Sequence, residues 1–446
     1  MRIFNKDLYW IRSAFFTMLQ SISGVFFSIG TFYLLVRILP PHEYGVWVLF
    51  MVTATVIETI RNGLIQNALI KFLASEEEQS HPSIISASAL ISAALTLLCC
   101  AGILIFSGFA SRMWESPELS QLFHIYVVAF ILSGLVNLFN TVLQANLKFR
   151  EIFISTIFTQ GLFFTYVLCC FLFNQKISLV HLVYVQLINT VISGAISFLF
   201  VRRKFLFSFT IHEAWIRRLL NYGKYAFGTS VSAILSVTVD QMMLGAMLSP
   251  VSAGAYNVAV RITNLLDIPT NAIAVIVFPQ SAKRMVTEGK AGIKYLYEKS
   301  VGTLLAILLP GIISLYLFSG FVVTLIAGNE YRDTIPLLHL TLLYCLFTPF
   351  GRQFGSILDS IGKTKTTFWV VITVTLINIG LNYIFIESMG VIGAALATLL
   401  AHIIGFYIGQ LILRKELGIS LKNIFIYAFE FYPEFYRKYL GKNDKI

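Results

Sequence analysis

Charge is scarce in this chain. Only 12% of its 446 residues are Asp, Glu, Lys or Arg, about half of the roughly 25% found in a soluble domain. With 57% hydrophobic residues and a mean hydropathy of +0.78, a water-soluble core of this length has no room for the apolar surface. That excludes a cytosolic globular protein. Cysteine is scarce too. Cys99, Cys100, Cys169, Cys170 and Cys345 all fall in apolar stretches without metal-ligand spacing, so no disulfide framework or metal site is expected, only small packing residues. Long polar segments are absent. The longest lie at about 202–218 and 280–299, too short to fold as a catalytic domain, so neither an enzyme nor a cofactor is expected.

The chain has apolar length instead. A bilayer core of about 30 Å takes roughly 20 apolar residues per helical span. Twelve spans are read near 11–36, 45–72, 83–106, 121–145, 151–173, 179–201, 219–248, 253–279, 300–326, 334–358, 366–386 and 390–413. The expected class is an all-α polytopic membrane protein. The net charge of +11 is then a topology signal and not a nucleic-acid footprint. With the N-terminus in the cytoplasm, 26 of the 33 Lys and Arg fall on that side, four (Arg37, Arg112, Lys176, Arg332) fall on the other, and three lie inside spans. This positive-inside pattern puts both termini in the cytoplasm. The charged start, MRIFNKDLYWIR, lacks a small-residue cleavage site and reads as a retained first helix. Trp10, Trp47, Trp114, Trp215 and Trp369 fall near span ends or in loops, where an aromatic belt would hold them. After Arg414 the aromatic and charged residues alternate (Phe425, Tyr427, Phe431, Tyr436, Arg437, Lys438), as in an interfacial helix or a disordered tail.

An internal repeat organises the rest. At an offset of 209, Leu39, Pro41, Gly45, Trp47, Glu58 and Asn62 meet Leu248, Pro250, Gly254, Tyr256, Asp267 and Asn271. At 215, Val142, Leu143, Gln144, Lys148 and Arg150 meet Ile357, Leu358, Asp359, Lys363 and Lys365. Each offset equals six spans, so the halves share orientation, and a pseudo-two-fold axis along the membrane normal is expected. The expected organisation is an N-terminal lobe of spans 1–6 (1–201), a cytoplasmic basic linker (202–218), a C-terminal lobe of spans 7–12 (219–413) and a cytoplasmic amphipathic tail (414–446).

Polar groups in hydrocarbon cost free energy, about 2.5–3.5 kcal/mol for a mid-span arginine on insertion scales. The helical period collects them on stripes. Span 2 carries Glu58, Asn62 and Gln66, with Arg61 beside them. Span 4 carries Asn137, Asn140 and Gln144. Span 8 carries Asn257, Arg261, Asn264 and Asn271, and span 10 carries Thr348, Arg352, Ser356 and Asp359. These are the spans the repeat pairs, and a hydrated cleft between two lobes is the economical reading. Arg61 and Arg352 are expected to grip an anionic head group through bidentate hydrogen bonds, with Arg261 as a third cation. Asn62, Gln66, Asn137, Asn140, Gln144 and Asn264 are candidates for sugar hydroxyls. Glu58, Asp240 and Asp267 are candidates for a coupling proton or sodium. Structural pairing competes at Glu58–Arg61 and at Asp240–Arg261.

Pro40, Pro41, Pro82 and Pro117 lie outside spans or at their edges, whereas Pro269, Pro310 and Pro349 lie within spans 8, 9 and 10. Greater bending of the second lobe is expected. Gly362-Lys363-Thr364 mimics the end of a phosphate-binding loop but lacks its upstream glycine. Gly351/Gly355 and Gly405/Gly409 read as close-packing pairs.

The stretch Arg37-Ile38-Leu39-Pro40-Pro41-His42-Glu43-Tyr44-Gly45 is similar to one in bacterial polysaccharide-transport proteins, the O-antigen and capsule repeat-unit flippases. So are Asp240-Gln241-Met242-Met243-Leu244-Gly245, Gly254-Ala255-Tyr256-Asn257-Val258-Ala259-Val260-Arg261 and Leu358-Asp359-Ser360-Ile361-Gly362-Lys363-Thr364-Lys365. That family falls in the multidrug/oligosaccharidyl-lipid/polysaccharide exporter superfamily. The resemblance implies two six-helix lobes, alternating access, and an oligosaccharide on a polyprenyl diphosphate moved from the inner to the outer leaflet of a bacterial inner membrane. It also implies membrane lipids, a proton or sodium as coupling ion, and glycan polymerase and assembly proteins as partners. The lipid II flippase has extra spans, which sets this chain apart from that role. A multidrug or cation antiporter is the alternative reading, and a membrane glycan polymerase a more distant one.

Overall fold

The computed structural model describes residues 2–202 and 212–437. Among them are seventeen α-helices and no strand. In chain order they are α1 (Arg2–Ile38), α2 (Pro41–Gly63), α3 (Gln66–Ser75), α4 (His81–Met113), α5 (Glu118–Ala145), α6 (Phe149–Leu172), α7 (Leu179–Val201), α8 (Glu213–Met247) and α9 (Pro250–Thr263). Then come α10 (Asp267–Thr287), α11 (Gly289–Leu317), α12 (Ser319–Ala327), α13 (Ile335–Tyr344), α14 (Thr348–Ser360), α15 (Thr364–Met389), α16 (Val391–Leu417) and α17 (Leu421–Phe435). Eleven stretches are long and apolar enough to cross a membrane. A twelfth is the residues 329–344 and α14 taken together, bent by 40°. The polytopic all-α class expected from composition is what the chain adopts.

Two compact units result: Met1–Thr238 with Ser249–Gly254, and Val239–Leu248 with Ala255–Ile446. In the first, α5, α6 and α7 are tied by a buried hydroxyl ladder. Ser155 Oγ lies 3.0 Å from Ser193 Oγ and 2.8 Å from Ser197 Oγ, and Ser197 donates to Asn140 Oδ1 at 3.0 Å. Lipid offers helices no hydrophobic incentive to pair, so such bonds, about 0.6 kcal/mol each, and close packing do that work. Close packing is extreme at two glycines. A Cβ on Gly45 would lie 1.9 Å from the Pro250 carbonyl oxygen, and one on Gly223 would lie 1.8 Å from that of Leu64. Gly254, the repeat partner of Gly45, packs against Gly45 itself.

The second sequence match is reproduced in backbone detail. After α5, Lys148 N bonds Leu143 O at 2.8 Å while Leu147 takes φ +58°. After α14, Lys363 N bonds Leu358 O at 2.8 Å while Gly362 takes φ +82°. The same turn thus carries a strained leucine in one half and an unstrained glycine in the other.

Several expectations change. The stretch 280–299 is not a loop: α10 runs to Thr287 and α11 starts at Gly289, because charged residues extend both helices beyond their apolar parts. Trp47 and Trp114 are buried and not belt residues. Trp10 and Lys438 lie outside the residues whose side chains are described. Pro349 sits in the first turn of α14, after a break, whereas Pro269 lies within the span Pro250–Thr287 as expected, just past its 3-10 turn. Pro310 and Pro279 lie inside α11 and α10. Gly405 and Gly409 meet Val374 and Phe354, whereas Gly351 faces open space.

The tail folds onto the second unit. Glu298 on α11, almost fully buried, accepts from Ser420 N at 2.7 Å and from Asn423 Nδ2 at 2.9 Å, so it caps α17. At the far end of α17, Glu434 pairs with Lys299 at 2.7 Å. Between these ends Ile424, Tyr427 and Ala428 pack on Gly302 and Tyr432 Oη donates to the Ala306 carbonyl at 2.7 Å, so α17 is held against α11 along its length. Phe425 and Phe429 remain exposed.

Candidate functional site

In the first unit the candidates cluster around Arg61, near the end of α2. The guanidinium is 1% exposed. It donates to the Phe130 carbonyl, to Ser133 Oγ at 3.1 Å and to Asn62 Oδ1 at 2.9 Å, and it lies 4.2 Å from the centre of the Phe130 ring. Gly134 leaves it room: a Cβ there would sit 3.2 Å from Nη1. Two expectations are corrected. Arg61 does not face an open vestibule, because α5 covers it and its donors are used internally. Nor does it pair with Glu58, since no described carboxylate lies within 4.0 Å of it and Glu58 accepts from Tyr126 Oη at 2.7 Å. Asn62 is engaged by Arg61, and Asn140 by Ser197 on α7. Gln66 opens α3 beyond a break at residues 64–65 and is half-buried, as are Asn137 and Gln144 on α5.

In the second unit the arginines are presented differently. Arg352 on α14 is exposed, and among the described residues no carboxylate lies within 4.0 Å of it; Asp267 acts on it electrostatically from further off. Arg261 and Asn264 are exposed at the end of α9 and in the 3-10 turn after it, and Asn271 is exposed on α10. Arg261 keeps polar contacts of its own. Asp267 opens α10, where a carboxylate also favours the helix dipole by about 0.3–1 kcal/mol. Asn257 is not on the exposed stripe; it is buried and donates to Gln241 Oε1 at 2.8 Å.

Asp240 is buried near the end of α8. Its carboxylate accepts from Tyr256 Oη at 2.9 Å, Thr398 Oγ1 at 2.7 Å and Asn382 Nδ2 at 2.6 Å. The expected pair with Arg261 is absent: three neutral donors, and no cation among the described residues, hold the charge. Beside it, Asn378 Oδ1 and Asn382 Oδ1 are buried with no donor. Sequence reasoning missed Tyr256, Asn378, Asn382 and Thr398. The spacing of Asn378 and Asn382, four residues apart in an apolar span, was the available signal. It equally missed Tyr126, Phe130 and Ser133, whose contacts with span 2 are not local.

Exposure sorts the helices by surroundings. α15 shows Trp369, Leu376, Tyr383 and Ile384 on its surface, as a lipid-facing helix does. α2, α3 and α14 show no exposed large apolar side chain, and α9 shows one, Val251, in its first turn. Helices that carry arginines and expose no apolar surface do not border lipid.

That combination defines a polytopic all-α membrane protein with arginines inside its spans, and solved structures share its fold. The lipid II flippase MurJ in an inward closed conformation superposes with a TM-score of 0.76 at 18% identity, covering 98% of this chain and 94% of that one. An inward-facing multidrug resistance MATE family transporter of the MOP superfamily gives 0.74 at 16% identity, over 87% and 94% of the two chains. In sequence, the lipopolysaccharide biosynthesis protein WzxC of Escherichia coli (strain K12) is 22% identical over 392 residues, 87% of this chain and 78% of that protein. The family model described as polysaccharide biosynthesis protein matches residues 34–336, and the chain belongs to that family.

Proposed function

We propose that this protein is a flippase carrying a polyprenyl-diphosphate-linked oligosaccharide, the repeat unit of an O-antigen, capsule or exopolysaccharide. It moves from the inner to the outer leaflet of the bacterial inner membrane. Residues 1–201 and 219–413 act as lobes of an alternating-access carrier with both termini cytoplasmic. The supporting observation is Arg352: an exposed guanidinium with no carboxylate within ion-pair distance among the described residues, on a helix that offers lipid no apolar side chain.

In this reading Arg352 holds the diphosphate, with Arg261 and Asn264 on the neighbouring segment. Asn62, Gln66, Asn137 and Gln144 contact sugar hydroxyls, and the polyprenyl tail stays in lipid. Arg61 serves the fold of the first unit instead. Asp240 is the coupling group: the two undonated amide oxygens beside it make a pocket of oxygens that favours a proton or sodium. Glu58 and Asp267 are less suited, one held by Tyr126 and the other at a helix start beside Arg352. A cationic drug would meet the charge of Arg352, so drug extrusion is the weaker reading. Replacing Arg352→Ala in a strain that depends on this gene should lower surface glycan by about 10–100-fold and leave the protein inserted at normal abundance. Normal export would refute the diphosphate role, and drug resistance on overexpression would redirect it.

A further inference from the structure

Span 10 is broken between Tyr344, the last residue of α13, and Thr348, the first of α14, and Arg352 follows one turn later. The direction of α14, and with it the placement of Arg352, depends on what holds the break. Tyr344 stacks on His402 of α16, with ring centres 4.8 Å apart and planes at 18°. His402 Nδ1 lies 2.8 Å from the Thr398 carbonyl, one turn earlier on the same helix. Thr398 Oγ1 is the donor to Asp240 and also accepts from Tyr256 Oη and from Asn378 Nδ2, each at 3.3 Å. On the other side, the Thr263 side chain, at the end of α9, is within polar reach of both Tyr344 and Cys345. The contacts therefore form one unbroken path inside the second unit. It starts at a buried carboxylate, passes one turn of α16 and two stacked rings, and ends at the hinge that carries the exposed arginine.

We infer that the stack of His402 on Tyr344 is the positioning contact that transmits the state of Asp240 to the bend of span 10 and so to Arg352. The inference rests on Asp240 being the coupling group. Capture of a proton or cation there withdraws the acceptor that Thr398 Oγ1 now uses, which frees the turn 398–402 to shift. His402 moves with that turn, and Tyr344 follows the ring it is stacked on. Titratable groups gathered at this point are Asp240 on α8, Tyr256 on α9, Tyr344 on α13, the buried thiol of Cys345 after it, and His402 on α16. Asp267 on α10 acts on Tyr344 from further off. A role carried by stacking needs a flat ring at 402, not an ionisable one.

Gly351 offers the readout, since it is exposed on α14 beside Arg352 and a Cβ there would touch nothing. In the full chain reconstituted into vesicles, Gly351→Cys is labelled with a water-soluble thiol reagent, and the parent chain's own labelling is subtracted. Sodium is exchanged for potassium in one arm, and pH is lowered in the other. The labelling rate should change by about threefold or more in at least one arm, as a shifted two-state equilibrium requires. His402→Ala should abolish the change and His402→Phe should restore it. Should His402→Ala fail to insert, Tyr344→Leu against Tyr344→Phe poses the same question from the other ring. An unaltered response in the ring-less variants, or no rescue by the ring-bearing ones, overturns the inference. Asp240→Asn separates the two layers. If it leaves the response intact, or the parent shows none, the coupling role of Asp240 falls and takes the link with it. If it abolishes the response while His402→Ala does not, only the link falls.

Discussion

In the first unit the buried ionic group is a cation, Arg61, held by a backbone carbonyl, a serine and an asparagine. In the second, two anions are buried: Glu298, which caps the start of α17, and Asp240, the latter held by a tyrosine, a threonine and an asparagine. Of the three in-span arginines the exposed two, Arg261 and Arg352, belong to the second unit, where Asn264–Leu266 and the break between α13 and α14 lie beside them; the first unit has its own break at residues 64–65, after Arg61. Span 4 of the first unit runs unbroken as α5, although the repeat pairs it with span 10. The two halves of the repeat therefore keep a common turn chemistry while dividing the work. One half buries its arginine as a fixed strut, and the other leaves an arginine out on a bendable segment and buries an acid behind it.

The sharpest way to break this contrast is to exchange the fates of the two arginines. Arg352→Ala should lower glycan export by about 10–100-fold, the loss of one charge-assisted contact worth roughly 1.5–3 kcal/mol, with no change in thermal midpoint. Arg61→Met should do the reverse, costing about 2–4 kcal/mol of stability as three hydrogen bonds are lost from a buried site. Thermal unfolding in detergent beside a cellular export assay separates the pair. Equal effects of the two substitutions on both readouts would erase the distinction.

Smaller changes test how each charge is held. Thr398→Val and Asn382→Leu each take a donor from Asp240 and should each cost about 1–3 kcal/mol. Their effects should not add, because both bonds serve one carboxylate. Tyr126→Phe should cost roughly 1.5 kcal/mol through Glu58 and leave any ion dependence of export untouched. The mildest test exchanges the two turns. Gly362→Leu should destabilise by about 1–2 kcal/mol because of its positive φ, whereas Leu147→Gly should be neutral or slightly stabilising at the matching position.

Much of this contrast was written in local sequence. The lack of charge and the lengths of the apolar runs gave the spans. Pro41 and Pro250 marked two helix starts, and the pairing of Lys148 with Lys363 marked a turn repeated bond for bond. The stripe through Arg261, Asn264 and Asn271 and the exposure of Arg352 followed from the helical period. What was not legible is which helix covers a stripe. The period puts Arg61, Asn62 and Glu58 on neighbouring positions but cannot show that Phe130 and Tyr126, some seventy residues on, close over them. The same blindness hid the ring of Tyr256, Asn382 and Thr398 around Asp240, because residues up to 158 positions apart meet only after the helices pack. One proline misled for a different reason: Pro349 initiates a segment after a break, and a sequence scan reads such a residue as a kink.

The most direct measurement is calorimetric titration of a short polyprenyl diphosphate, farnesyl diphosphate, into the purified full chain and into Arg352→Ala and Arg61→Lys. Binding should weaken by about tenfold or more in Arg352→Ala alone, with Arg61→Lys close to the parent wherever it remains folded. Affinity unchanged by the loss of Arg352, or lost only with Arg61, would contradict the assignment of the exposed arginine to the cargo and the buried one to the fold.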